Sequence, residues 1–467
     1  MAAYSDKIFL HAPRQEDTLI ILRRTMKTSF KLFCLVTALL AVTSAVKGQT
    51  LTALVNFSGG NGANPQATLV VAGNTLYGTT YAGGVSNAGT VFAYNLSNGA
   101  FSNVYTFTGT SDGRGPQSSL VAAGNILYGT AESGALGFGT VFAVNTNGSG
   151  FTNVYSFRGG ADGSDPAAGL LLISNVLYGT TFLGGEAGEG AIFAVNTNGN
   201  GFSNLYSFTG GNDGANPEAP LIVSGNTLYG TASAGGSHSS GAVFRINVNG
   251  GSFSNIYSFT GGSDGANPEA GLVLAGTTLY GTANGGGDFE GFGDYGTVFS
   301  VNTNGGGFSS YLFNYTVGAN PQAGLILLGG TLYGTAAGGG GPGYGTVFQI
   351  NTNGSGFTNV YSFTDDGDGA TPEAGLLFFG NTLYGTTQAA NNYGYSGTVF
   401  ALTSPSLTIP LNISLNGSQV TLSWSSSIFS LQSAPAVTGV YSNVPGATSP
   451  YTTAASGKVK FFRLRQN

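Results

Sequence analysis

The sequence predicts an all-β protein, a seven-bladed β-propeller closed on itself, and three observations carry that expectation. One phrase, in the form PEAGLVLAGTTLYGTANGG at 268–286, recurs seven times. Each of the first six copies breaks into four short apolar runs separated by turn residues. The array opens with a run that matches a fourth strand and closes with one that matches a third.

Composition points the same way. The chain has 467 residues, 80 of them Gly, and only 7% are charged, far below the usual share of about 25%. Gly follows no three-residue period, which excludes collagen. With 41% hydrophobic residues, including 32 Phe and 23 Tyr, the chain is not a disordered one. Many short strands and Gly-rich turns remain.

The LYGT tyrosines are Tyr77, Tyr128, Tyr178, Tyr229, Tyr280, Tyr333 and Tyr384, spaced 51, 50, 51, 51, 53 and 51 residues apart. Periods near 50 suit propeller blades rather than helical solenoids. Each tyrosine follows a proline (Pro65, Pro116, Pro166, Pro217, Pro268, Pro321, Pro372) by twelve positions. Within a unit the strands read GLVLAG, TLYGT, GTVFAVN and NVYSFTG. The proline-to-tyrosine interval spans the first two, the inner hairpin, and one inserted residue would turn every later side chain to the wrong face. The run LTALVNF, from Leu51 to Phe57, reads as a fourth strand, whereas GTVFAL at 397–402 is a third with no successor. Pairing those ends gives seven complete blades.

The phrases GNTLYGT, GTVFAVNTNG and FSNVYSFTGG resemble GloVer-type repeats, a β-propeller family of secreted bacterial proteins, and more distantly kelch blades. The resemblance spans about 51–402 and implies fold and secretion, with no catalytic residues to carry over. The sixth copy departs from it, reading NYTVGANPQAG without the Asp-Gly of its neighbours.

Residues 1–48 read as a leader. Arg23, Arg24, Lys27 and Lys31 precede an apolar run at 32–42 and a small-residue stretch, the pattern of a secretory signal. Met26 is the expected start, with cleavage after Ala45 or Gly48. The run is too short to span a bilayer. Bulky Phe33 before the single cysteine, Cys34, argues against a lipid anchor, so a cleaved chain holds no disulfide. Seven of the 14 basic residues and three of the 20 acidic ones precede Gln49, which leaves seventeen acids against seven cations. Such a field repels phosphate backbones and excludes a nucleic-acid role.

The propeller is assigned to 49–403 and a small basic β-module to 404–467. The tail holds a hairpin, ISLNGSQVTLSW, and a last strand, KVKFFRLRQ, with Lys458, Lys460, Arg463 and Arg465. It resembles the Ig- or fibronectin-like modules that end such secreted proteins.

Strand alternation puts the second-to-third and interblade loops on one side of the disc, and nearly all the acids lie there. Interblade loops carry Asp112, Asp162, Asp213, Asp264 and Asp368, with Glu218, Glu269 and Glu373 after the proline. These acids either bind a cation or sugar hydroxyls, or serve Asp-Gly turns repeated with the blade. No cofactor is expected. Calcium gathers several oxygens from one compact loop, and one Asp per blade fits that poorly. The fifth copy is longer: its Tyr280-to-Phe299 spacing is 19 residues against 14 to 16 elsewhere. Its loop adds Asp288, Phe289, Glu290, Phe292, Asp294 and Tyr295, aromatics among acids that suit a sugar ring or are a tolerated insertion. The next interblade loop is shorter by two residues, which suggests a recess beside a bulge. His238 is the one histidine beyond the leader, so the usual zinc sites and a Ser-His-Asp site lack support. Repeated NTNG matches no phosphate-binding pattern.

The expectation is therefore a bacterial, secreted or cell-surface, monomeric propeller. Its acidic face, led by Asp213, Asp264, Glu218, Glu269 and the fifth-copy loop, would bind extracellular polysaccharide or a surface protein without catalysis. The alternatives are a hydrolase or lyase using paired carboxylates, and a structural surface-layer or adhesion component.

Overall fold

The computed structural model describes residues 20–21, 49–134, 136–287, 294–390, 396–403, 412–416, 419–423, 429–434, 440–454 and 461–466. Seven four-stranded antiparallel sheets form the blades of a propeller. Blade 1 comprises Val70–Ala72, Thr75–Thr80, Thr90–Asn95 and Phe101–Thr106. Blades 2 to 6 repeat it, and blade 7 combines Leu377–Phe379, Thr382–Thr387 and Thr398–Thr403 with Thr50–Asn56. The N-terminal strand thus pairs with the last third strand, Leu51 opposite Leu402 and Asn56 opposite Thr398.

The repeated phrase has a residue-by-residue cause. The core is a set of layers between adjacent sheets, such as Tyr77, Val91, Phe107, Leu120, Leu127 and Phe142 between blades 1 and 2. The phenylalanine after each fourth strand meets the third-strand phenylalanine of the next blade edge-on. Phe107–Phe142 centroids lie 5.2 Å apart, and the ring closes through Phe363–Phe400 at 5.2 Å and Phe57–Phe92 at 5.2 Å. Such a pair adds about 0.5–1.5 kcal/mol beyond area burial. The LYGT glycine makes room for that third-strand ring. A Cβ on Gly281 would stand 2.6 Å from Phe299 Cζ, and the other six copies are equally tight. The LYGT threonine donates to the next blade: Thr231 Oγ1 to Ala270 O at 3.0 Å, and across the closure Thr386 Oγ1 to Pro65 O at 3.2 Å. The LYGT tyrosines are buried packing residues.

The first strand, expected at six residues, is found at three, as in Val273–Ala275, and it stops at Gly276, which is left-handed at φ 61°. The segment between proline and strand gives its carbonyl to the neighbouring blade rather than to its own sheet. The interblade loop and the second-to-third loop of each blade are bridged, as Ala215 to Ala234 and Ala266 to Gly285, so they share one side.

One expectation is corrected in blade 5. Of its two missing residues, only one belongs to the interblade loop. The other is the bulge residue of the fourth strand, present in blade 4 between Val243 and Phe244 but lacking where Val298 and Phe299 pair directly with Tyr311 and Ser310.

The chain divides into two compact units, the larger within 47–405 and the smaller including 1–46 and 406–467. In the smaller unit, Asn412–Asn416, Gln419–Ser423 and Tyr451–Ala454 form one sheet. Ile20–Ile21, Phe461–Gln466, Phe429–Ala434 and Ser442–Asn443 form another. The expected hairpin is present, Asn416 facing Gln419. Residues 22–48, which hold the basic, apolar and cleavage features of the leader and Cys34, lie outside the described residues.

Candidate functional site

Two sets of acids share the repeat and meet different fates. The interblade aspartates are consumed by the turn. Asp264 accepts hydrogen bonds from Tyr257 Oη at 2.9 Å, Thr260 N at 2.8 Å and Thr260 Oγ1 at 2.5 Å. Asp213 repeats this with Tyr206 and Thr209, and Asp112 with Tyr105 and Thr108. The tyrosine ring is fixed from its other side, stacked on the next blade: Tyr257 lies 3.8 Å from Phe308 at 3°. Burial, then the aspartate hydrogen bond, pushes the Tyr105 and Tyr206 hydroxyls up to about 12. Burial works against ionised Asp112, yet the Thr108 and Tyr105 hydrogen bonds outweigh it and hold its carboxyl below the usual range. At Asp162 the threonine is replaced by Arg158, whose Nε lies 2.7 Å from Oδ2. In the first interblade loop Asn61 does the work, accepting from Ser58 N at 2.8 Å. These side chains lock the path from one blade to the next.

The glutamates do something else. An extended chain alternates its side chains, and after each proline the alternation points positions one and three toward the axis. Position one holds Gln66, Gln117, Ala167, Glu218, Glu269, Gln322 and Glu373. Position three holds Thr68, Ser119, Gly169, Pro220, Gly271, Gly324 and Gly375. The second ring is a tight waist: a Cβ on Gly375 would stand 2.6 Å from Thr68 Oγ1, and one on Gly271 2.9 Å from Pro220 Cγ. Small residues there let seven chains converge. The position-one side chains form the wall of a cup on this waist, with a cavity of about 260 Å³.

Three carboxyls in one half-buried ring disfavour full ionisation. Burial, then the charge of Glu269, raises Glu218 to about 7. Burial, then Glu269 again, raises Glu373 to about 7, with a hydrogen bond to Gln66 pulling the other way. Burial also raises Glu269, opposed by Asn284, whose Nδ2 donates to Glu269 Oε1 at 3.1 Å. Near neutral pH the ring therefore mixes protonated and ionised carboxyls with amides, offering donors and acceptors around one axis.

Of the residues singled out in sequence, Glu218 and Glu269 line this cup, while Asp213 and Asp264 are held in the turns. Asp288, Phe289, Glu290 and Phe292 lie outside the described residues. Asp294 is exposed, and half-buried Tyr295 sits 5.8 Å from Tyr315 of the next interblade loop. The long and short loops are thus brought together at that pair. His238 is exposed, its Nδ1 2.9 Å from Ser237 Oγ. Among the described residues no three His, Cys, Asp or Glu side chains gather as a metal site. The cup's glutamines were not singled out. Their signal was available: the residue after the proline varies between copies while the proline and the leucine three places beyond it do not.

Comparison with known proteins bears on the fold. The model of the Gloeobacter/Verrucomicrobia repeat matches residues 40–172, 125–293 and 288–423. No curated protein matches the chain. Among solved structures, an oligogalacturonate lyase of Vibrio parahaemolyticus is similar at 11% identity, over 78% of this chain and 95% of that one, with a TM-score of 0.49. A putative 6-phosphogluconolactonase of Bacteroides uniformis is similar at 13% identity, over 83% and 98%, with a TM-score of 0.45. At those values neither passes an activity to this chain.

Proposed function

This chain belongs to the Gloeobacter/Verrucomicrobia repeat family, and from that premise we propose that it is a secreted or cell-surface binding propeller, without catalysis, for extracellular polysaccharide. The axial cup is its ligand site. The observation that carries this reading is the ring of Glu218, Glu269 and Glu373 with Gln66, Gln117 and Gln322. Unlike the interblade aspartates, these side chains face a cavity of about 260 Å³.

Mixed donors and acceptors suit a neutral, hydroxyl-rich ligand, because each hydroxyl both donates and accepts. The excess of acids disfavours polyanions. Crowding between adjacent blades at the waist narrows the recess below the position-one ring, which suits a projecting sugar residue. The test is a glycan array probed with the purified chain, followed by assay of any bound polymer for new reducing ends. Binding to a neutral polysaccharide without new ends is expected. Absence of all glycan binding, or release of new ends, would overturn the reading.

A further inference from the structure

At the junction of blades 1, 2 and 3 the repeat changes at several framework positions together. Four interblade loops read Ala-Asn before the proline, but the second reads Arg114-Gly115 and the third Ser164-Asp165. The residue before the proline is left-handed in these loops, with φ of 54° at Asn216, 67° at Gly115 and 54° at Asp165. The asparagines use that pose to donate to the previous blade, at the carbonyl four residues past its LYGT tyrosine. Asn216 Nδ2 reaches Phe182 O at 3.0 Å, and Asn267 Nδ2 reaches Ser233 O at 3.2 Å.

In the third loop the equivalent carbonyl belongs to Glu132, and the side chain in the donor's place is Asp165. An ionised carboxylate there has no hydrogen to give, whereas a protonated one donates as the amide does. Burial, then the Glu132 carboxylate, raises the Asp165 pKa, in keeping with that demand. Neighbouring Glu132, then burial, raises the Tyr81 pKa, with Arg114 opposing them. Gly115 is what admits these two groups. A Cβ there would stand 2.9 Å from Tyr81 Cε2 and 3.1 Å from Glu132 Oε2. Tyr81 remains 37% exposed, and Arg114 is exposed beside it. Gln117 and Ala167 of the cup follow Gly115 and Asp165 by two residues, and Ala167 is the one apolar member of that ring.

An exposed aromatic ring, two carboxyls and a guanidinium meet in the loops that lead into the cup's position-one residues. We propose that Tyr81, Arg114, Glu132 and Asp165 form a subsite for one pyranose ring of a neutral glycan. The C–H face of the sugar packs on Tyr81, its hydroxyls donate to the Glu132 and Asp165 carboxyls, and its oxygens accept from Arg114. This inference rests on the polysaccharide reading of the cup and assigns the next sugar along the chain.

The test is affinity electrophoresis of the full chain in gels containing a β-glucan, an α-glucan, a mannan or polygalacturonate. Wild-type protein is expected to be retarded by a neutral polymer. Tyr81→Ala and Glu132→Gln should each weaken that retardation at least tenfold while the melting temperature holds. If both variants bind as wild type while the Glu218→Gln/Glu373→Gln variant does not, the subsite is wrong and the cup survives. If no neutral polymer retards the wild type, the polysaccharide reading fails and takes the subsite with it. Retardation by polygalacturonate alone, through Arg114, would also overturn the subsite.

Discussion

Asp213 and Glu218 stand five residues apart in the same loop, yet one is structure and the other is surface chemistry. Asp213 spends both oxygens on Tyr206 and Thr209, and its counterparts in other blades do the same. Glu218 faces a recess, where burial and then the charge of Glu269 raise its pKa. In a closed array, repeated side chains carry blade-to-blade contacts, because every blade needs them. Side chains that vary within a repeated frame are free for a ligand, as at the residue after each proline.

That contrast can be broken by substitution. The largest effect is expected at Asp264. Asp264→Ala leaves the half-buried Tyr257 hydroxyl and the Thr260 amide without their acceptor and should cost roughly 2–4 kcal/mol, read as lost stability in denaturant. The opposite sign is expected at the axis. Glu218 and Glu373 have folded pKa values raised to about 7, so their contribution to stability is complete below the unfolded value and is lost as pH rises through about 7. Glu218→Gln/Glu373→Gln should therefore stabilise at pH 8 by on the order of 2 kcal/mol and bring no such gain at pH 4. Calorimetric melting at both pH values checks this, and destabilisation at pH 8 would count against a strained acidic ring. Tyr257→Phe removes one hydrogen bond to Asp264 and keeps the stack on Phe308, so a loss of about 1 kcal/mol in denaturant titration is expected. Smallest of all, Asp165→Asn restores the amide donor of the other loops. It should raise stability at pH 8 by about 0.5–1 kcal/mol, with the gain vanishing on acidification as Asp165 takes up its proton.

Much of the scaffold was legible in the sequence. The twelve-residue interval sends the leucine and the tyrosine of one copy to the two neighbouring interblade layers, so Leu69 meets Tyr384 and Leu120 meets Tyr77, and the unmatched end strands show where the ring seals. The two acid sets were not separable that way. Turn chemistry accounts for Asp before Gly, but how far a residue lies from the axis depends on the converging chains, which position three reveals only through its crowding of Gly271 and Gly375. Blade 5 misled for a related reason: a deleted bulge residue and a shortened loop look alike as a residue count. The subsite at Tyr81 escaped notice because its members come from three blades and join only through Gly115.

The central claim is that the axial glutamates meet ligand and the interblade aspartates do not. It is tested most directly by titrating a bound neutral polysaccharide into three proteins at pH 7: wild type, Glu218→Gln/Glu373→Gln, and Asp264→Asn checked for folding. The account predicts that the axial variant loses at least tenfold in affinity while the loop variant stays within twofold of wild type. Equal losses in both, or a loss confined to Asp264→Asn, would contradict it.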